Sequence, residues 1–350
     1  MVPLLQGPYT EVSATANASK EGKAVDQTQK LNAPIRKHIF LIVAGVLLLL
    51  LAAAAGFDWQ ISQTIGDMND PFATLFQDVG LWTAPLIIML SCNIVCHYAI
   101  RSQQLAWYTR TLMVIGSVIY AGWELWAGYL KYAMTMVITS LNDINAGKPM
   151  GMANSDGSKL TLPGATSIIL FLILYLVVFI GSQYWLAQKT DEQLHYLLKM
   201  AVVATLVCLL SDQIVNAMKT FWGRFRPYEL NGNPTHFTSW FQPNGANGHM
   251  SFPSGHTQTA ATLLTLTWFV DRDKPKRQRL VFWLTFAYGA VMAYTRVRIL
   301  AHFTGDVTMS LILTWSLILI LAAVVQQPLV DWEALTARSS AKNLNTEPIS

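Results

Sequence analysis

Long apolar runs alternate with short polar breaks along most of this chain. Runs at 39–55, 79–100, 110–135, 164–187, 197–217, 254–270, 279–297 and 305–326 approach or exceed the roughly 20 apolar residues that carry a helix across a bilayer. The pattern predicts eight spans and an all-α, polytopic transmembrane bundle. Residues 1–34 and 331–350 are polar and read as disordered tails on the cytoplasmic side. The first run follows Arg36-Lys37-His38 and ends near Ala53-Ala54-Ala55-Gly56, an arrangement like a signal peptide. The polar stretch ahead of it is far longer than a signal peptide carries. We read it as an uncleaved first span.

Composition and charge sharpen this picture. Hydrophobic residues make up 53% of the 350 and charged residues 13%, about half the charge of a soluble domain. A net charge of +4 is too small to imply nucleic-acid binding. The basic residues sit at span ends instead. Arg36, Lys37, Arg101, Arg110, Lys189 and the run DRDKPKRQR at 271–279 all fall on one side. The positive-inside rule makes that side cytoplasmic, with both termini. The opposite side holds Asp58, Asp67, Asp70, Asp78 and the loops 139–163 and 218–253. Cys92, Cys96 and Cys208 lie inside apolar runs and read as packing residues, not a disulfide framework. Glu124 and Lys131, in the third run, read as an ion pair.

Three clusters of ionisable residues map to the extracytoplasmic edge, where such groups are costly and usually functional. They are Lys219 with Arg224, Arg226 and Pro227; Pro253-Ser254-Gly255-His256; and Thr295-Arg296 with Arg298, His302 and Asp306. Lys219 and Arg226 are seven apart, which would put them on one helical face, ready to hold anionic oxygens. Ser254 and Gly255 would open a helix whose free N–H groups suit an anion. His302 and Asp306 are four apart. Asp306 would accept the proton of one imidazole nitrogen and leave the other free to attack. His256, from another span, would protonate a leaving alkoxide. Arg296 and His302 are six apart and cannot share a face of a straight helix. Both reach one site only if the helix breaks near 297–301; Arg298 is the fallback ligand if it does not.

These residues resemble the signature of the type-2 phosphatidic acid phosphatase (PAP2) superfamily: K-x6-R-P, P-S-G-H and S-R-x5-H-x3-D. Here they read Lys219…Arg226-Pro227, Pro253-Ser254-Gly255-His256 and Thr295-Arg296…His302…Asp306, with Thr for Ser as the one departure. The resemblance covers 219–306. It implies a metal-independent phosphatase without cofactor. His302 would be the nucleophile, Asp306 its partner and His256 the general acid. Lys219, Arg226, Ser254, Gly255 and Arg296 would bind phosphate. It implies a six-helix core, placed at 164–330, preceded by a region at 35–163 with extra spans. The implied substrate is a lipid-linked phosphate or pyrophosphate in the membrane, with no nucleic acid and no obligatory protein partner. A phosphotransferase passing the group to a lipid or sugar hydroxyl would use the same residues. A non-enzymatic lipid binder or transporter would not need His302. The style of the chain leads us to expect a bacterial plasma membrane.

Overall fold

The computed structural model describes residues 40–154 and 164–330. The two tails and part of the 139–163 loop lie outside the described residues. Leu47–Val330 form one compact unit. The other unit, 1–46 with 331–350, contributes only residues 40–46 to the described part.

Among the described residues every regular element is helical, as expected. The elements are α1 (Phe40–Ile65), α2 (Pro71–Val79), α3 (Thr83–Arg101), α4 (Trp107–Trp123), α5 (Lys131–Asn145), α6 (Gly164–Ala187), α7 (Asp191–Trp222), α8 (Gly255–Thr262), α9 (Pro275–Arg298) and α10 (Thr304–Val324). Helix α2 runs through one 3-10 turn into α3. Among the described residues six helices are long and apolar enough to cross a membrane: α1, α2–α3, α6, α7, α9 and α10. The other two expected spans take different forms. The run 110–135 belongs to a longer helix in which a π-helical segment, Glu124–Leu130, joins α4 to α5. The run 254–270 is α8 followed by a 3-10 segment, Leu263–Phe269. Because a 3-10 turn rises about 2.0 Å per residue, that short stretch still extends about 26 Å. No ion pair joins Glu124 to Lys131 among the described residues; Glu124 opens the π segment, and Lys131 is exposed.

Besides an apolar core, the bundle presents apolar side chains outward. Ile168, Ile173, Val177 and Ile180 of α6 are exposed, while Ser211, Thr257, Gln258 and Ser310 are buried. Helix α8 is enclosed by its neighbours along its whole length. Its Gln258 amide donates to Ser211 Oγ at 2.7 Å. The three cysteines are buried and free.

The basic loops gather at one end. Arg101 donates to Lys189 O at 2.7 Å and pairs with Asp191 at 2.9 Å. Lys189 pairs with Asp271, and Arg272 donates to Pro328 O at 2.7 Å. The residues of all three motifs collect at the other end. Helix α7 joins the two, and the stretch from Asp191 to Lys219 spans about 42 Å.

Candidate functional site

The site is built at three junctions, where helices α7, α8, α9 and α10 stop or start. Helix α7 ends at Gly223, whose φ of 53° glycine adopts without penalty. A Cβ there would stand 1.9 Å from Gly245 O. The chain then runs extended through Arg226. Lys219 and Arg226 do meet at one cavity, though not through helical periodicity: the helix stops between them. Helix α8 starts at Ser254, whose Oγ accepts the Thr257 N–H at 3.4 Å. A Cβ on Gly255 would lie 2.8 Å from Lys219 Nζ, so glycine lets the ammonium approach the helix start.

The third junction is the expected break. Helix α9 ends at Arg298, Leu300 takes φ 58°, and α10 begins at Thr304. The Ala301 and His302 N–H groups donate to Arg296 O at 3.1 and 3.2 Å. The fold ties this loop down from outside. Arg298 pairs with Asp67 at 2.8 Å and Asp70 at 2.9 Å, at the corner between α1 and α2. It also donates to Ile65 O at 2.6 Å. Arg298 is therefore a clamp on the loop, and the fallback assignment of it to phosphate is corrected. Ala73 of α2 packs on Ile299 and Ala301.

Lys219, Arg226, Gly255, His256 and His302 line one cavity of about 270 Å³. Ser254, Arg296 and Asp306 do not line it. Arg296 is fully buried, within electrostatic reach of Arg226, His256 and His302. Its Nη1 donates to Gln77 Oε1 at 3.2 Å. Its Nε and Nη2, and Nη1 of Arg226, are buried without a hydrogen-bond partner among the described residues. Buried donors are nearly always satisfied. Three orphan guanidinium N–H positions beside a cavity therefore mark an anion-binding environment.

His302 Nδ1 lies 2.7 Å from Ser251 O. A carbonyl only accepts, so Nδ1 carries the proton and Nε2 keeps its lone pair. The expected acceptor was Asp306, but its Oδ2 is 3.6 Å from Nδ1. The carboxylate is occupied elsewhere. Its Oδ1 accepts from Arg224 Nη1 at 2.5 Å. Its Oδ2 accepts from Ser251 Oγ at 2.5 Å and from Phe303 N at 2.9 Å. Asp306 thus braces the loop around His302 and sets a negative charge behind the ring. Burial, the largest cause, holds the His302 pKa below its ordinary value, which favours the neutral ring.

Sequence reasoning assigned no role to four residues. Arg224, inside the first motif, is 1% exposed and bridges Asp306 to Asp58. Asp58 of α1 also accepts Gly305 N at 2.9 Å. Gln77 of α2 holds Arg296, as above. Tyr132 of α5 places its Oη 2.8 Å from His256 Nε2. The available signal was a charge at the end of an apolar run for Asp58, and a third cation between two assigned ones for Arg224. Gln77 and Tyr132 gave none. His249 accepts a supporting place: its Nδ1 is 3.1 Å from Glu229 Oε2, which accepts the Arg226 N–H at 2.7 Å.

The helical bundle thus gathers cations and two histidines around one cavity, an arrangement suited to phosphoryl chemistry. Residues 196–329 match the model of the PAP2 superfamily, a family that implies a phosphatase-type enzyme. No curated protein and no solved structure matches the chain.

Proposed function

We propose that the protein is an integral-membrane phosphatase that hydrolyses a lipid-linked phosphate or pyrophosphate at the extracytoplasmic face, without a metal, through a phosphohistidine on His302. The observation that carries this reading is the His302 Nδ1–Ser251 O bond, which leaves Nε2 unprotonated beside the cavity that Lys219, Arg226 and Gly255 share.

In the first step Nε2 of His302 attacks phosphorus, and the bond to the leaving oxygen breaks. Lys219, Arg226 and Arg296 offset the charge on the phosphoryl oxygens, with Ser254 and the Gly255 N–H behind them. His256 gives its proton to the leaving oxygen. In the second step water attacks the phosphohistidine, His256 takes the water's proton, and inorganic phosphate leaves. Asp306 balances the positive charge that builds on the His302 ring. Two features support a lipid-linked substrate. The cavity suits a phosphoryl group and the first atoms of its ester, not a whole lipid. Asp212 and Asn216, exposed on α7, also line it, so it reaches a helix face that a bilayer covers. The gathered basic loops at the far end support a cytoplasmic side there.

The test is phosphate release by the purified protein in detergent with EDTA, across a panel of lipid phosphates. Turnover is expected in EDTA, and His302→Ala lowers it at least about 10³-fold. A 32P label on His302, stable to base and labile to acid, is expected in the wild type. Wild-type turnover by His302→Ala removes the nucleophile, and loss of activity in EDTA removes the metal-free mechanism. Transfer of label to an added lipid alcohol in preference to water would make the enzyme a phosphotransferase.

A further inference from the structure

The contacts of His256 fix more than its place. Its Nε2 is 2.8 Å from Tyr132 Oη and 3.4 Å from the backbone oxygen of Gln77. Tyr132 Oη is itself 3.2 Å from that same oxygen. A carbonyl oxygen accepts and never donates. The Tyr132 hydroxyl hydrogen therefore goes to Gln77 O, and the phenolic oxygen turns a lone pair to His256. Nε2 fills that lone pair only if it carries a hydrogen. The opposite tautomer would set a nitrogen lone pair against the carbonyl oxygen 3.4 Å away. Among the described residues Nδ1 of His256 has no hydrogen-bond partner, and the ring lines the cavity.

We propose that Tyr132 is a positioning residue that locks His256 in its Nε2–H form, so that Nδ1 alone exchanges protons with the substrate and water. This rests on the phosphatase reading above. When the phosphorus–oxygen bond breaks and the His302 Nε2–phosphorus bond forms, Nδ1, having taken the proton that the monoanionic phosphate brings, gives it to the leaving oxygen. When water's oxygen bonds to phosphorus and the nitrogen–phosphorus bond breaks, neutral Nδ1 takes the water's proton. The Nε2–H bond to Tyr132 persists throughout. The two histidines are held in opposite forms by the same device, a backbone carbonyl: directly at Ser251 for His302, and through a tyrosine at Gln77 for His256. Tyr132 and Gln77 lie outside the matched segment 196–329, on α5 and α2. The N-terminal region thereby completes the acid–base apparatus of the domain that follows it.

Tyr132→Phe keeps the ring and removes the oxygen. A proton donor matters for an alkoxide leaving group and not for p-nitrophenolate. With a lipid phosphate, kcat of Tyr132→Phe is expected to fall about 10- to 100-fold with KM unchanged. The burst of p-nitrophenolate from p-nitrophenyl phosphate is expected to change less than about threefold. Equal losses on both substrates would mean a structural role and overturn the proposal. A second measurement needs no turnover. Nitrogen-15 NMR of histidine-labelled protein, with His256→Gln to assign the signal, is expected to show His256 protonated at Nε2 and bare at Nδ1, and mixed forms in Tyr132→Phe. A wild-type His256 protonated at Nδ1 and bare at Nε2 would overturn the proposal. If the wild type releases no phosphate from any lipid, the phosphatase reading fails, while the nitrogen spectrum still decides the tautomer.

Discussion

Arg224 is the residue on which most of the site's internal charge depends. It joins Asp58 to Asp306, with all three side chains at most 1% exposed. Its guanidinium lies 4.3 Å over the Phe303 ring, and its Nε donates to Thr238 O at 2.9 Å. Two buried carboxylates share one cation, so neither tolerates its loss. Removing one partner of a buried pair typically costs about 3–5 kcal/mol. Arg224→Met is therefore expected to lower stability by at least about 3 kcal/mol, read as thermal unfolding in detergent. Adding Asp58→Asn in the same chain removes one of the stranded charges and is expected to restore part of the loss. If the double variant is no more stable than the single one, the two charges are not coupled.

The helix ends place the chemistry. Ends of α7 and α9 and starts of α8 and α10 bring the motifs together, and glycine or a left-handed residue marks two of these junctions. Gly223→Ala forces a Cβ toward Gly245 O and strains φ. We expect about 1–2 kcal/mol of strain plus the clash, and a KM raised at least about tenfold because Arg226 is displaced from the cavity. An unchanged KM would show that the Gly223 turn does not position Arg226. The junctions also explain what was legible in the sequence. Lys219, Arg226, Gly255, His256 and His302 stand within 84 residues of chain in fixed spacings, and the break before His302 followed from its distance to Arg296. Asp58, Gln77 and Tyr132 reach the site from elements far earlier in the chain. Their roles come from tertiary contact, which no local spacing encodes. Run length was a poorer guide to spans where a π segment or a 3-10 segment changed the geometry, as at 110–135 and 254–270.

The molecule has two chemically distinct ends. Loops rich in Arg, Lys and Asp are cross-linked at one, and the cavity lies at the other. Their sidedness is open to labelling. Ala246→Cys, in the loop between Arg226 and α8, is expected to react with a membrane-impermeant maleimide on intact cells. Lys276→Cys, at the opposite end, is expected to react only after permeabilisation. Both positions are exposed, and the native cysteines are buried. The reverse pattern would invert the proposed orientation. Enclosure of α8 has a consequence for how the chain is made. Thr257, Gln258, Thr259 and Thr262 of α8, with Thr265 and Thr267 of the 3-10 segment after it, give this stretch little tendency to partition into lipid when it leaves the ribosome. Its Gln258 bonds to Ser211 on α7, its His256 to Tyr132 on α5 and Gln77 on α2, and α9 and α10 pack against it. Membrane insertion of α8, and with it His256, is therefore expected to wait for α9 and α10, the two helices translated after it.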